Sequence, residues 1–560
     1  MFAPSEVVAT RLLHGRRNER LMILDMWAAA RCCHRTARGN RVSTRAEVTD
    51  DVLGRTGLLG SRLAFAQLRS WVGGQISRVG GWYWVLPVAL SFVVTVVGAS
   101  RPTLWNDELA TWSAARRSWS QLWHLLGNQD LVIAPYYVFM HGWVRLFGDS
   151  ELSLRMPSIL AVTATAGLVA VLGRRLYSPR VGLLAGVLFA VLPNVSRYGQ
   201  EARAIAFTAM FAALATLVLV VVLDEPRWWR WLLYAVAVIA LGAASVIALL
   251  LLVAHGVFAA GHWWQTRNRQ PVWWLVSATG SLLVLSPLIY FGQQQLRQIA
   301  WVPKPGEIPG LRQQEAWTAF PDGTDIAGSI GLGGLLLGLG LVGAKFAGRA
   351  WSMLLAWALG LKFLLYLVSM YGPQSYWVGR YLYFVTPALV LLAALTLSWL
   401  GIRHTVAVLV VFALLAVPLH SDIRSRSGHS FYDGPSVVNY LTPRLQPGDV
   451  ALFGNSGQHG PRDLLRYYGL PASRLPDVLA TKSGEEVGGF RPAECTDTAR
   501  CLSGISRAWL FLVRPSADLY DRMPAAKGSF LRENFQVTQS REFGAITVFL
   551  LERRASTTSG

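Results

Sequence analysis

Long apolar runs, separated by short polar loops, recur between residues 81 and 420. Most hold roughly 17 to 25 residues, enough for a helix that crosses about 30 Å of hydrocarbon. Because a bilayer offers no water to backbone polar groups, such runs are restricted to helices. The sequence therefore predicts a polytopic α-helical membrane protein. We predict eleven spans, at 81–99, 156–173, 180–196, 203–223, 231–243, 245–260, 272–290, 326–344, 350–370, 382–400 and 404–420.

Composition and charge support this class. The chain is 53% hydrophobic and only 15% charged, with a mean hydropathy of +0.36, which excludes an ordinary soluble domain. The net charge of +20 is spread over short clusters between the apolar runs, so it indicates membrane orientation and not nucleic-acid binding. The clusters that we place on the cytoplasmic side are Arg174, Arg175, Arg180, Arg227, Arg230, Arg267, Arg269, Lys345, Arg349 and Arg403.

Two layouts fit residues 231–260. We divide this region at Gly242–Ser245 into two short spans. A single long tilted helix is the alternative, and it would invert the orientation of everything downstream.

Three regions follow from this pattern. Residues 1–80 are rich in Arg, lack a signal-peptide pattern and are predicted to be a largely disordered or interfacial cytoplasmic extension. Residues 81–420 form the membrane region, with a first exported loop at 101–155. Residues 421–560 are predicted to be a small exported α/β domain.

In this last region we expect strands at 450–453, 509–513 and 546–550 and helices at 437–445 and 463–468. Cys495 and Cys501 are expected to form either a disulfide or two free thiols.

Polar side chains of three exported loops could carry chemistry. Asp107, Glu108 and Asp130 lie in the first loop, and further candidates lie in 196–203 and 376–381. A carboxylate could accept the proton of an attacking hydroxyl, and Arg could bind a lipid phosphate. The predicted phosphate-binding residues are Arg197, Arg203, Arg380 and Tyr381, and the predicted sugar or acceptor contacts are Trp105, Tyr136, Glu201 and Trp301.

Each of these residues also has a structural interpretation. Asp107 or Glu108 could cap a helix that begins near Leu109, Glu201 could form an ion pair with a neighbouring Arg, and Arg380 could mark the end of a span. The spacing of His and Cys residues supports no metal motif. A divalent cation held by the acidic pair is left open, and no other cofactor is predicted.

The chain resembles the GT-C glycosyltransferases, in particular the clan of protein O-mannosyltransferases and the lipid A aminoarabinose transferase (glycosyltransferase family 39-like). The resemblance is carried by Asp107-Glu108 and by the segments 130–137, 146–151, 155–158, 173–177, 182–186 and 197–203. It implies a GT-C fold with about 11 transmembrane helices and a small C-terminal extracytoplasmic α/β domain, a plasma-membrane location and an extracytoplasmic site. It also implies a polyprenyl-phosphate sugar donor, with Asp107 as general base and Asp130 as the second acidic position. This chain has Ile133-Ala134-Pro135 where many relatives have a double proline.

The Arg197–Arg203 segment and the C-terminal α/β region are similar to the actinobacterial branch of this clan. That similarity implies transfer of mannose to a glycolipid or polysaccharide of the cell envelope, as in lipoarabinomannan-type mannosyltransferases, with arabinofuranose as the alternative sugar. A lipid-sugar transporter or a non-catalytic envelope scaffold would also contain many spans. A transporter would place ionisable residues at mid-membrane, whereas the spans here are almost free of charge, Lys362 excepted.

Overall fold

The computed structural model describes residues 82–308, 326–429, 432–454, 460–516, 518–521 and 523–554. The predicted extension at 1–80 lies outside these residues. Every predicted span overlaps a helix. In the membrane region the helices are α1 (Val85–Val96), α2 (Asn106–Arg116), α3 (Trp119–Asn128), α4 (Ala134–Phe147), α5 (Glu151–Leu176), α6 (Pro179–Val191), α7 (Pro193–Gly199), α8 (Ile205–Asp224), α9 (Trp228–Ala244), α10 (Leu251–Thr266), α11 (Gln270–Gln293), α12 (Ile326–Ala344), α13 (Trp351–Leu355), α14 (Leu361–Tyr371), α15 (Thr386–Trp399) and α16 (Ile402–Ile423).

Within the described residues, seven helical segments are long and apolar enough to cross a membrane, and the pair α6 and α7, bent by 62°, would be an eighth. Helices α1, α9 and α12 are apolar but shorter. Three of the spans are composite. A π-helical turn joins α13 to α14, a 3₁₀ helix at Gly379–Val385 leads into α15, and a 3₁₀ helix at Val246–Leu250 leads into α10. The model therefore confirms a polytopic helical membrane protein.

The chain folds back between α9 and α10. Ser245 has extended backbone angles, and the Tyr234 hydroxyl lies 2.9 Å from Nδ1 of His255. In one continuous helix these residues, 21 positions apart, would be separated by about 30 Å. Residues 231–260 therefore form two antiparallel segments, in agreement with the predicted division at Gly242–Ser245.

Three of the basic residues predicted to share one face, Arg175, Arg230 and Arg349, meet acidic residues at the end of α8. Arg349 donates to Asp224 at 2.9 Å, and Arg175 and Arg230 each donate to Glu225 at 2.9 Å. Arg175 lies in the last turn of α5, Asp224 and Glu225 lie at the end of α8, and Arg230 lies in the first turn of α9. The loops that carry the predicted site residues lie at the opposite ends of α5 and α8.

Helices α5 and α6 pack closely near the C-terminal end of α5. A Cβ on Gly173 of α5 would lie 2.8 Å from the Cα of Gly182 in α6, so these two helices touch backbone to backbone. Small residues permit such an approach in membrane helices. Among the seven spans, Gly379–Trp399, which includes α15, is the most enclosed: 89% of its apolar stretch is buried.

The C-terminal region combines helices with a mixed sheet of order β1-β4-β6-β5, in which β1 pairs parallel to β4 and the other pairings are antiparallel. All three predicted strands and both predicted helices are present, with shifted boundaries. The exposed edge strand β5 and the short β2–β3 ribbon were not predicted, because they lack an apolar pattern. The elements are α17 (Gly434–Leu441), β1 (Val450–Phe453), α18 (Gly460–Tyr467), β2 (Ala480–Lys482), β3 (Ala493–Glu494), α19 (Thr498–Cys501), β4 (Arg507–Val513), α20 (Ala525–Asn534), β5 (Phe535–Phe543) and β6 (Ile546–Arg553).

This α/β region packs directly on the loop 101–155. Leu109 and Trp112 of α2 belong to the same hydrophobic cluster as Leu464 of α18 and Trp509 of β4. The Leu104 amide donates to the Tyr468 hydroxyl at 3.0 Å. A disulfide joins Cys495 to Cys501, as one of the two alternatives predicted.

Candidate active site

Asp107 lies at the centre of a cluster of charged side chains. It is the second residue of α2, where the helix dipole favours a carboxylate. Its Oδ2 is 3.2 Å from Nη1 of Arg380 and 3.6 Å from Nη2 of Arg203, and its side chain is 23% exposed. The three predicted exported loops therefore meet at this partly open carboxylate.

A hydrogen-bonded chain connects Arg203 to Asp130. Nη1 of Arg203 donates to the Tyr137 hydroxyl at 3.2 Å, and that hydroxyl donates to Oδ2 of Asp130 at 2.8 Å. Burial raises the pKa of the Asp130 carboxyl, although Arg203 and Tyr137 oppose the rise. Asp130 has a left-handed backbone, with φ of 58°, and its amide donates to Gln298 at 3.2 Å. The loop after α11 thus helps to position the second acidic residue.

Aromatic rings surround the Arg380 guanidinium. Its central carbon lies 5.5 Å from the ring centre of Trp105, 5.7 Å from Trp301 and 5.6 Å from Tyr381. The guanidinium of Arg197 lies over the same Trp105 ring at 5.7 Å. Rings beside cations can bind the apolar face of a sugar while the cations bind its phosphate.

Glu201 is a second buried carboxyl beside this cluster. Its Oε2 lies 3.4 Å from Nη1 of Arg197, whereas Oε1 has no hydrogen-bond partner among the described residues. Burial raises the pKa of Glu201, and the positive charges of Arg197 and Arg380 oppose that effect. The ion pair predicted as the structural role of Glu201 is therefore present, and the residue is buried.

Glu108 occupies a different position from its neighbour. Both of its oxygens accept from Arg155, at 2.8 and 2.7 Å, and neither side chain is exposed. The same carboxylate accepts from the amides of Ala202 and Trp105. The predicted catalytic role for Glu108 does not fit this geometry, because no oxygen faces the open part of the site.

The predicted contact at Tyr136 also needs correction. Tyr136 is 5% exposed and its ring packs at 6.4 Å from Phe139 and 6.0 Å from Phe207. The adjacent Tyr137 is the tyrosine that joins the charged cluster. No helical spacing in the sequence could have identified it, because Asp130 has a left-handed backbone and lies outside α4.

The acidic pair does not converge on a shared cation site, because Asp107 and Glu108 are bound by different arginines. Among the described residues, no group of three or more His, Cys, Asp or Glu side chains could hold a metal ion.

Comparison with known proteins identifies the architecture. The family model for dolichyl-phosphate-mannose-protein mannosyltransferase matches residues 135–291. Two structures of ArnT from Cupriavidus metallidurans are similar to this chain. The structure bound to undecaprenyl phosphate has a TM-score of 0.53 at 15% identity, covering 85% of this chain and 98% of ArnT. The apo structure has a TM-score of 0.54 at 14% identity, covering 84% and 98%. This chain has a GT-C fold. No curated protein sequence matches it.

The family match covers only some of the residues that surround Asp107. Tyr137, Arg197, Glu201 and Arg203 lie within the matched segment, whereas Asp107, Asp130, Trp301, Arg380 and Tyr381 lie outside it. Only the tertiary structure of the GT-C fold therefore joins the two sets of residues.

Proposed function

We propose that this protein is an inverting glycosyltransferase that uses a polyprenyl-phosphate sugar as donor. The observation that carries the proposal is the partly exposed Asp107 carboxylate, which lies within 3.6 Å of two guanidiniums. One of these, Arg380, lies among three aromatic rings. A base, a phosphate-binding fork and a sugar-stacking surface are the three elements that this transfer requires.

In the proposed reaction, an acceptor hydroxyl attacks the anomeric carbon of the donor. A new carbon–oxygen bond forms as the bond from the anomeric carbon to the phosphate oxygen breaks. Asp107 accepts the proton of the hydroxyl, and the lipid phosphate leaves with its electron pair. Arg203 and Arg380 stabilise the charge that develops on the leaving phosphate.

The same two arginines form ion pairs with Asp107. Phosphate oxygens match a guanidinium fork as well as a carboxylate does. Donor binding would therefore draw Arg203 and Arg380 away from Oδ2 of Asp107, so that this oxygen could accept a proton. The site would become basic only when the donor is in place.

We propose that the acceptor approaches along the C-terminal α/β region. Phe490 lies 6.5 Å from the ring of Tyr137, and Nη2 of Arg117 donates to the Gly489 carbonyl at 2.6 Å. The segment at 483–491 therefore forms one wall beside the Asp130–Tyr137–Arg203 chain. A cell-envelope glycolipid or polysaccharide on the extracytoplasmic face is the proposed acceptor.

Mannose is the sugar that we favour, because the matched family model describes mannosyltransferases. Arabinofuranose is the alternative within the same mechanism. The test is incorporation of label from polyprenyl-phosphomannose into envelope glycolipid by membranes that contain the wild-type chain or Asp107→Asn. We expect incorporation by the wild type and a loss of at least ~100-fold in the variant. A well-folded Asp107→Asn variant with full activity would exclude Asp107 as the base.

Two alternatives from other classes predict different results in further assays. A lipid-sugar transporter would move labelled donor across proteoliposomes without forming product, even after Asp107→Asn. A scaffold would support envelope assembly in cells that carry Asp107→Asn together with Arg380→Gln. Label transferred to arabinan only from a decaprenyl-phosphoarabinose donor would retain the mechanism and change the sugar.

A further inference from the structure

A groove between α9 and α11 lies at the end of the helices away from Asp107. Helix α8 begins two residues after Arg203 and ends at Asp224, 20 residues and about 30 Å further along. The groove follows directly, lined by residues that include Arg227, Trp228, Trp231, Arg269, Trp273 and Gly280. Its volume of about 620 Å³ lies within the range of small-molecule sites.

The groove is apolar along its length and positive at one end. Arg227 and Arg269 directly precede the two helices, and neither helix has an acidic residue in its first turn. Among the residues that the structure describes, neither arginine forms an ion pair, whereas the nearby Arg230 is bound to Glu225. The positive ends of both helix dipoles add to the charge of the two guanidiniums.

The floor of the groove is fixed by contacts with neighbouring aromatic residues. Trp231 is 6% exposed and packs edge-on against Tyr234, at 6.1 Å between ring centres. The Tyr234 hydroxyl accepts from Nε1 of Trp274 at 3.0 Å and bonds to His255. Such a floor does not need to rearrange when a ligand binds.

We propose that this groove binds one anionic phospholipid. Its phosphate would lie between Arg227 and Arg269, and an acyl chain would run past Trp273 towards Gly280. Tryptophan rings at a membrane interface suit the boundary between headgroup and chain, and basic pockets between helix ends attract anionic headgroups. A Cβ added at Gly280 would meet no atom within 4 Å, so space for the chain continues there.

The test is lipid binding to the detergent-solubilised full chain, measured by native mass spectrometry during titration with phosphatidylglycerol or phosphatidylcholine. We expect phosphatidylglycerol to bind more tightly, and Arg227→Gln with Arg269→Gln to weaken it roughly 10- to 30-fold. Gly280→Leu should weaken both lipids without removing a charge. The matched control, Arg267→Gln with Arg403→Gln, removes two charges at the same end but outside the groove and should change little.

Four outcomes would overturn the proposal. Equal binding of the two lipids would remove the role of the arginines, and an equal loss in the control pair would show a general effect of charge. Tight binding of free glycerol phosphate would show an anion site without a lipid chain. A shift of the wild type to a dimer that the paired Arg227 and Arg269 substitutions abolish would show that a second copy covers the groove.

Discussion

The Arg155 guanidinium donates to both carboxylate oxygens of Glu108, and neither side chain has any exposure. Nη1 of Arg155 also donates to the carbonyls of Ala99 and Pro102, at 2.6 and 2.8 Å. One ion pair therefore ties α5 to the chain that leads from α1 into α2. This pairing positions Asp107 without taking part in the open site.

Removal of one partner should destabilise the fold. We expect Arg155→Met to cost about 3–5 kcal/mol, because it leaves the Glu108 carboxylate buried without its cation. Thermal unfolding in detergent would measure the loss. Arg116→Gln is the control, since its pair with Asp149 is exposed and should contribute about 1 kcal/mol or less.

Substitution of Glu108 distinguishes a structural role of this residue from a catalytic one. Glu108→Gln should reduce the amount of folded protein while activity per folded molecule stays within about tenfold of the wild type. A normal melting temperature combined with a loss of ~1,000-fold or more would instead assign Glu108 to the reaction.

Tyr137→Phe should lower activity without unfolding the protein. The substitution removes the hydroxyl that joins Arg203 to Asp130 and retains the ring. We expect a decrease in kcat of about 10-fold, in line with the loss of hydrogen bonds to charged groups. Tyr136→Phe is the matched control in the same helical turn, and an equal decrease there would contradict a specific role for Tyr137.

Arg380→Lys should weaken donor binding. Lysine keeps the positive charge but loses the planar fork and its stacking among Trp105, Trp301 and Tyr381. We expect the KM for the donor to rise about 10-fold or more, measured as initial rates over a range of donor concentrations. Arg116→Lys, outside the site, should leave this KM unchanged. An unchanged KM for Arg380→Lys would remove the phosphate-binding assignment.

Asp463 of α18 should make stability depend on pH. Burial raises the pKa of its carboxyl to about 7, despite the opposing charges of Arg466, Arg117 and Arg462. Between about pH 4 and pH 7 the folded protein then binds the proton that the unfolded chain has released. Its contribution to the free energy of unfolding should therefore fall as pH rises, by up to ~1.4 kcal/mol per pH unit.

Asp463→Asn should remove that dependence. Melting temperatures from pH 5 to pH 8 should decrease less for Asp463→Asn than for the wild type. Asp518→Asn is the control, because Asp518 is exposed. Parallel pH profiles for the wild type and Asp463→Asn would show that Asp463 is ionised throughout.

Predictions from the sequence were most successful where they rested on repeating patterns. The helices and the apolar strands β1, β4 and β6 follow from hydrophobic length and periodicity, which are local properties. Strand β5 was missed because seven of its nine residues are exposed and only pairing with β6 makes it a strand.

The sequence by itself determined the membrane class, the positions of the spans and the three loops that carry charge. Tertiary structure alone decided which of those charges meet. Asp107 and Glu108 are adjacent in sequence, yet successive residues of a helix point about 100° apart, so that one joins Arg203 and Arg380 and the other is enclosed with Arg155. Likewise Tyr137 and not Tyr136 contacts Asp130, because the turn of α4 directs only one of the two hydroxyls into the cluster. Contacts between residues such as Asp107 and Arg380, 273 positions apart, depend on how the helices pack, and no local pattern encodes that.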